Sequence, residues 1–127
     1  MTNILVIDDN QEVTAMLEAI LVSGSCRVQK ALGGRQGLQL LRNGQFDVVI
    51  TEIIMPDLDG FELIMEINRM PLRPRVIVMT GGTKHLSLDY LNAVATALGV
   101  HRVLFKPFSV DDLLDSVFLC DDDREAA

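Results

Sequence analysis

Four stretches of this 127-residue chain end in side chains suited to holding a cation or a phosphoryl group. Asp8 and Asp9 follow the apolar run ILVI, Glu52 follows DVVIT, Thr80 closes RVIVMT, and Lys106-Pro107 follows VLF. Three carboxylates drawn together repel, and the pKa of at least one rises unless a cation compensates. Three acids against one lysine leave a surplus of two negative charges, which a divalent ion would cancel. An oxygen-only donor set suits Mg²⁺, which keeps several waters and often takes a phosphate oxygen. A metal, an ammonium and a hydroxyl in one place would neutralise the equatorial oxygens of a phosphoryl group during transfer.

For these residues to meet, the ends of several strands must be brought to one edge. The hydrophobic pattern provides this, because short apolar runs alternate with stretches of helical period five times over. After ILVI, residues 4–7, the residues Val13, Met16, Leu17, Ile20 and Leu21 mark one helix face, closed at Gly24. The more polar RVQKA, 27–31, reads as an edge strand; Gly33-Gly34 then lead into a helix bearing Leu38, Leu40 and Leu41 that stops near Gly44. DVVIT, 47–51, is almost wholly apolar, as befits a central strand buried on both faces. A helix from Phe61 to Arg69 and the strand RVIVMT, 75–80, come next. Leu91, Val94, Ala95 and Leu98 mark a helix ending at Gly99, and VLF, 103–105, is the last strand. Ser109 and Asp112 resemble a capping box, in its weaker Asp form, for a helix on Val110, Leu113, Leu114, Val117 and Phe118. Five such units with short links predict an open, mostly parallel α/β sheet. Ligands of such sheets bind beyond the carboxyl ends of the strands, where all the candidate residues stand.

Composition narrows the function. A formal charge of −7 argues against nucleic-acid binding and leaves proteins or cations as partners. Cys26 and Cys120 lack metal-ligand spacing and are expected to act as small apolar residues in a reducing compartment. MTNILVIDD has neither the basic segment nor the long apolar stretch of a signal peptide, and no run approaches membrane-spanning length. The chain is therefore expected to be soluble and cytoplasmic, with one domain over residues 1–120 and a disordered acidic tail over 121–127.

Each candidate also has a plainer reading. Asp8, Asp9 or Asn10 would merely cap the first helix, and Thr80 before Gly81-Gly82 would be a turn residue. Lys106 would be a solvated cation, and Asp57-Leu58-Asp59-Gly60 a turn, since the other ligand positions of a calcium loop are absent. Together these readings need four coincidences at four strand ends. Met16, Met65 and Met79 read as core, and His85 and His101 as surface residues.

Five segments in order carry a resemblance: VIDDN at 6–10, ALGGRQGLQLL at 31–41, DVVITEIIMPDLDG at 47–60, VIVMTGG at 76–82 and GVHRVLFKPF at 99–108. From residue 3 to residue 119 the chain resembles the chemotaxis-regulator-like receiver domain of two-component response regulators. The resemblance implies a flavodoxin-like (βα)5 doubly wound sandwich, its five parallel strands in order 2-1-3-4-5. It implies a signalling module, not an enzyme, in a phosphorelay with a sensor histidine kinase or phosphotransfer protein. Asp9 resembles the direct Mg²⁺ ligand, Asp8 its neighbour acting through water, and Ile54 the residue whose backbone carbonyl completes the shell. Thr80 resembles the hydroxyl that turns toward the phosphoryl group and Lys106 the ammonium that pairs with it. The Lys106-Pro107 bond is often cis in the family. Output is expected through the fourth helix, fifth strand and fifth helix to a downstream protein. The chain would be a monomer or weak dimer, either a stand-alone regulator or a module, touching neither nucleic acid nor membrane.

Two positions depart from the family pattern. Glu52 stands where the family has its phosphorylated Asp, and its extra C–C bond moves the carboxylate out by roughly 1.5 Å. Catalysis by positioning is sensitive to shifts of that size. The same methylene would carry a negative oxygen partway toward the phosphoryl position, an incomplete imitation with one charge and two oxygens. Val103 replaces the Tyr or Phe that swings as Thr80 moves; Phe105, two residues on, points to the same side and is the substitute candidate. The closest rival is a pseudo-receiver binding module that Glu52 holds in one state. A small Mg²⁺-dependent phosphohydrolase ranks lower for want of a cap domain and second nucleophile. A flavin-binding protein ranks lower still, because its loops should offer backbone donors and not carboxylates.

Overall fold

The computed structural model describes residues 1–119; Cys120 and the tail expected at 121–127 lie outside the described residues. The strands are β1 Thr2–Ile7, β2 Cys26–Ala31, β3 Val48–Glu52, β4 Arg75–Thr80 and β5 Arg102–Phe105. The helices are α1 Gln11–Val22, α2 Gly34–Asn43, α3 Gly60–Asn68, α4 Leu88–Ala97 and α5 Val110–Phe118. All strand pairs are parallel, in the order β2-β1-β3-β4-β5. The expected fold class and strand order are those of the structure.

The two-residue period of the strands divides the core into two layers. Leu5, Ile7, Val49, Val76 and Val78 face Leu41, Leu63, Ile64, Ile67, Leu91 and Ala95, so α2, α3 and α4 cover one side. Ile4, Val6, Val48, Ile50, Ile77 and Met79 face Leu17, Leu21, Leu113 and Val117, so α1 and α5 cover the other. Every residue of β3 is buried, which is why DVVIT is apolar at successive positions. On the β2 edge, by contrast, only Cys26 and Ala31 are buried.

Four expectations need correction. Helix α1 ends at Val22 with Ser23 as its C-cap, and the left-handed residue is Ser25 at φ 65°, not Gly24. Met16 and Met65 are exposed at 47% and 43%; only Met79 of the three is core. The buried face of α1 runs through Thr14, Leu17 and Leu21, which leaves Met16 on its flank. Val110 and Phe118 likewise lie outside the core. His101 is half-buried at the entry to β5, where its amide donates to the Val76 carbonyl at 2.8 Å; His85 is exposed as expected.

Candidate functional site

The carboxyl edge of the sheet gathers Asp8 just after β1, Glu52 at the end of β3, Thr80 at the end of β4 and Lys106 just after β5. Asn10, not either aspartate, caps α1, its side chain accepting the Glu12 and Val13 amides. Asp8 is therefore free for the pocket. It is buried, with Oδ1 accepting the Asn10 amide at 2.9 Å and Oδ2 accepting from Lys106 Nζ at 2.9 Å. Glu52 Oε2 accepts the Ile53 amide at 3.1 Å, and Oε1 lies 3.6 Å from the same ammonium. Lys106 is anchored to the sheet through its amide, which donates to the Thr80 carbonyl at 2.9 Å; the Lys106-Pro107 bond that follows is cis.

Burial dominates the electrostatics of Glu52 and pushes its carboxyl up to about 7. The Lys106 ammonium and the Ile53 amide oppose that rise, while the Asp8 charge adds to it. Near neutral pH the carboxyl is thus divided between charged and neutral forms, and Asp8 holds the closer contact with the lysine.

Other candidates are placed differently. Asp9 is exposed, and among the described residues no three His, Cys, Asp or Glu side chains stand together as a metal set. The oxygen chemistry suits Mg²⁺, but this side-chain arrangement fits an ammonium between two carboxylates and not a divalent ion. Ile54 is half-buried against the core. Thr80 is fully buried, and its Oγ1 accepts the Gly82 amide at 3.2 Å, so the hydroxyl also serves the turn after β4. Val103 packs against the α4-side core, whereas Phe105, paired in register with Thr80, is 40% exposed. Beside the pocket, Val13, Met16, Lys106, the exposed Pro107 and Phe108 line a groove of about 370 Å³. A cleft of about 420 Å³ between Phe46, Asp47, Met70 and Arg73 lies at the opposite end of the strands and takes no part in the site.

Reading DLDG as a simple turn missed its structural work. Asp57 accepts amides from Gly34 at 3.0 Å and Arg35 at 3.1 Å, supplying the start of α2 with the cap that Gly33 cannot provide. Burial works to raise the Asp57 carboxyl, but the Arg35, Gly34 and Leu58 amides outweigh it and hold the group below the usual carboxylate range. Asp59 caps α3 through the Glu62 amide. Gly60 lets that helix approach β3, since a Cβ there would stand 2.6 Å from the Glu52 carbonyl oxygen. One signal was legible: a helix opening on Gly-Gly has no side chain to cap itself, so its amides need an acceptor from elsewhere.

Residues 4–118 match the family model described as the response regulator receiver domain. A response regulator receiver protein of Anaeromyxobacter sp. is 35% identical over 115 residues, covering 91% of this chain and 47% of that protein. The chain spans about half the length of the curated relatives it matches. A receiver domain protein from Clostridium thermocellum superimposes with TM-score 0.83 at 28% identity, covering 99% and 98% of the two chains. A CheY-like receiver domain protein from Methanospirillum hungatei superimposes with TM-score 0.85 at 23% identity over 100% and 99%, a likeness of fold.

Proposed function

Because the chain belongs to the response regulator receiver family, we propose that it is a phosphorelay domain facing a sensor histidine kinase or phosphotransfer protein, in which Glu52 disfavours native phosphorylation. The meeting of Asp8, Glu52 and Lys106 at one sheet edge carries this reading. Glu52 occupies the phosphoacceptor position with one methylene too many, which displaces the nucleophile by roughly 1.5 Å. A carboxyl raised to about 7 is also only partly ionised at neutral pH, which thins the nucleophilic form further. The groove beside Lys106 offers a partner helix an apolar seat next to the pocket.

Output would pass to a downstream protein through α4, β5 and α5, which expose Tyr90, Phe105 and Val110 respectively. In this scheme Thr80 and Lys106 report the charge state of Glu52, and Val103, Phe105 and Pro107 stand in the switch positions. By the family pattern Mg²⁺ would be held through Asp8, Asp9, Glu52 and the Ile54 carbonyl, but no such set of side chains is gathered among the described residues, and no step of this proposal runs through the ion. The second reading, a pseudo-receiver that signals without chemistry, is favoured by the internal ion pairing of Lys106.

Intact mass spectrometry after incubation with Mg²⁺ and a small phosphodonor tests the assignment. A labile adduct is expected on Glu52→Asp and not on the parent. An adduct on the parent would show that an acid of the natural pocket is competent, and none on either would leave the pseudo-receiver. Turnover of added phosphoesters would point to a hydrolase.

A further inference from the structure

We propose that Lys106 is the resident cation of the pocket, so that with glutamate at position 52 the domain holds its two buried carboxylates in place without a divalent ion. This deepens the receiver reading and rests on it for the identity of the pocket. All four oxygens of the two buried carboxylates already face a donor from the chain. Asp8 Oδ1 accepts the Asn10 amide at 2.9 Å and Oδ2 the ammonium at 2.9 Å. Glu52 Oε2 accepts the Ile53 amide at 3.1 Å, and Oε1 stands 3.6 Å from the ammonium. Among the described residues no third acid joins them in a three-residue metal set, and Asp9 is exposed.

The lysine is built in and not incidental. Its amide is tied to the Thr80 carbonyl, which fixes the chain leaving β5 against the end of β4 and delivers the ammonium between β1 and β3. Mg²⁺ demands near-octahedral geometry and dehydrates reluctantly, so it would have to displace this ammonium from carboxylates that already have amide partners. Glutamate favours the lysine: an aspartate would withdraw its carboxylate by up to about 1.5 Å and loosen the second contact.

The test titrates MgCl₂ into EDTA-treated parent protein and Lys106→Met, following the thermal midpoint and the backbone amide signals of Asp8, Asp9, Glu52 and Ile54. The parent should show neither a midpoint rise nor saturating shifts up to about 10 mM, the level at which a ligand of millimolar affinity would register. Lys106→Met leaves two buried carboxylates without their cation, so it should melt lower in EDTA, recover with MgCl₂ and bind it at least about tenfold more tightly than the parent. Submillimolar saturation of the parent, or a Lys106→Met protein that folds and ignores MgCl₂, overturns the proposal. If Lys106→Met does not fold, the parent titration decides alone. The phosphorelay reading stands or falls separately, on the phosphodonor adduct of Glu52→Asp.

Discussion

The ammonium of Lys106 meets the Asp8 carboxylate at 2.9 Å across 98 positions of sequence and stands farther from Glu52, at 3.6 Å. The lysine's firmer partner is therefore the acid of β1 and not the residue at the phosphoacceptor position. Because Asp8 is almost wholly buried and Lys106 only about a quarter exposed, the contact is shielded from the solvent screening that makes surface ion pairs weak.

That contact should be visible as a coupling energy. Asp8→Asn, Lys106→Met and the double variant, compared by urea unfolding, should give a coupling of about 2 kcal/mol, each single change leaving a buried group without its partner. A coupling indistinguishable from zero would mean that the two side chains are merely adjacent.

Glu52 sets a pH dependence of definite sign. Its carboxyl is raised from 4.5 in the open chain to about 7 in the fold, so the native state binds more protons between those values. The contribution to stability is therefore fully present below 4.5 and is lost as pH climbs through about 7. The shift caps this effect at about 3 kcal/mol. Urea midpoints taken from about pH 5 to about pH 8 should fall in the parent, and Glu52→Gln should flatten that slope. The same titration would make the negative charge of Glu52, and any output that depends on it, stronger on the alkaline side.

How far the sequence reveals the structure depends on how local each feature is. The central strands are legible because ILVI, DVVIT and RVIVMT lie under helices on both sides, and burial on both faces leaves continuous apolar runs; their order comes from the family resemblance and not from the pattern. Met16 misleads because a helical template admits its flank as readily as its centre, while the buried Thr14 escapes notice by being polar. The pairing of Lys106 with Asp8 depends on side-chain reach across the β2-β1-β3-β4-β5 sheet, which strand assignment alone does not give. Asp57 is hidden for the same reason: its bonds to α2 span 22 and 23 residues, and nothing within its own loop announces them.

Asp57→Ala should consequently loosen a helix other than its own. Removing the acceptor from the Gly34 and Arg35 amides should cost about 1 kcal/mol, the usual worth of an N-cap, and speed hydrogen exchange at those two amides while the Glu62 amide, capped by Asp59, keeps its protection. As a carboxyl held below its ordinary range, Asp57 contributes stability that is present at neutral pH and lost on acidification, opposite in sign to Glu52. Equal loss of protection at all three amides would reduce Asp57 to a general stability residue.

Gly60 and Gly99 should fail for different reasons, and the contrast separates space from backbone conformation. A Cβ at Gly60 would stand 2.6 Å from the Glu52 carbonyl oxygen and 2.7 Å from the Ile53 Cα, both backbone atoms that cannot swing aside. At Gly99 a Cβ would meet nothing within 4 Å, but φ is +81°, a region that side-chain-bearing residues rarely adopt. Gly99→Ala should cost about 1 kcal/mol, and Gly99→Asn less, since Asn enters the left-handed region more readily. Gly60→Ala should cost about 2 kcal/mol or more, with Gly60→Asn no better, because α3 must retreat from β3 in either case. Urea midpoints of the four variants decide the matter: rescue by Asn at position 60 would place the constraint in the backbone angles and not in the approach of the helix to the end of β3.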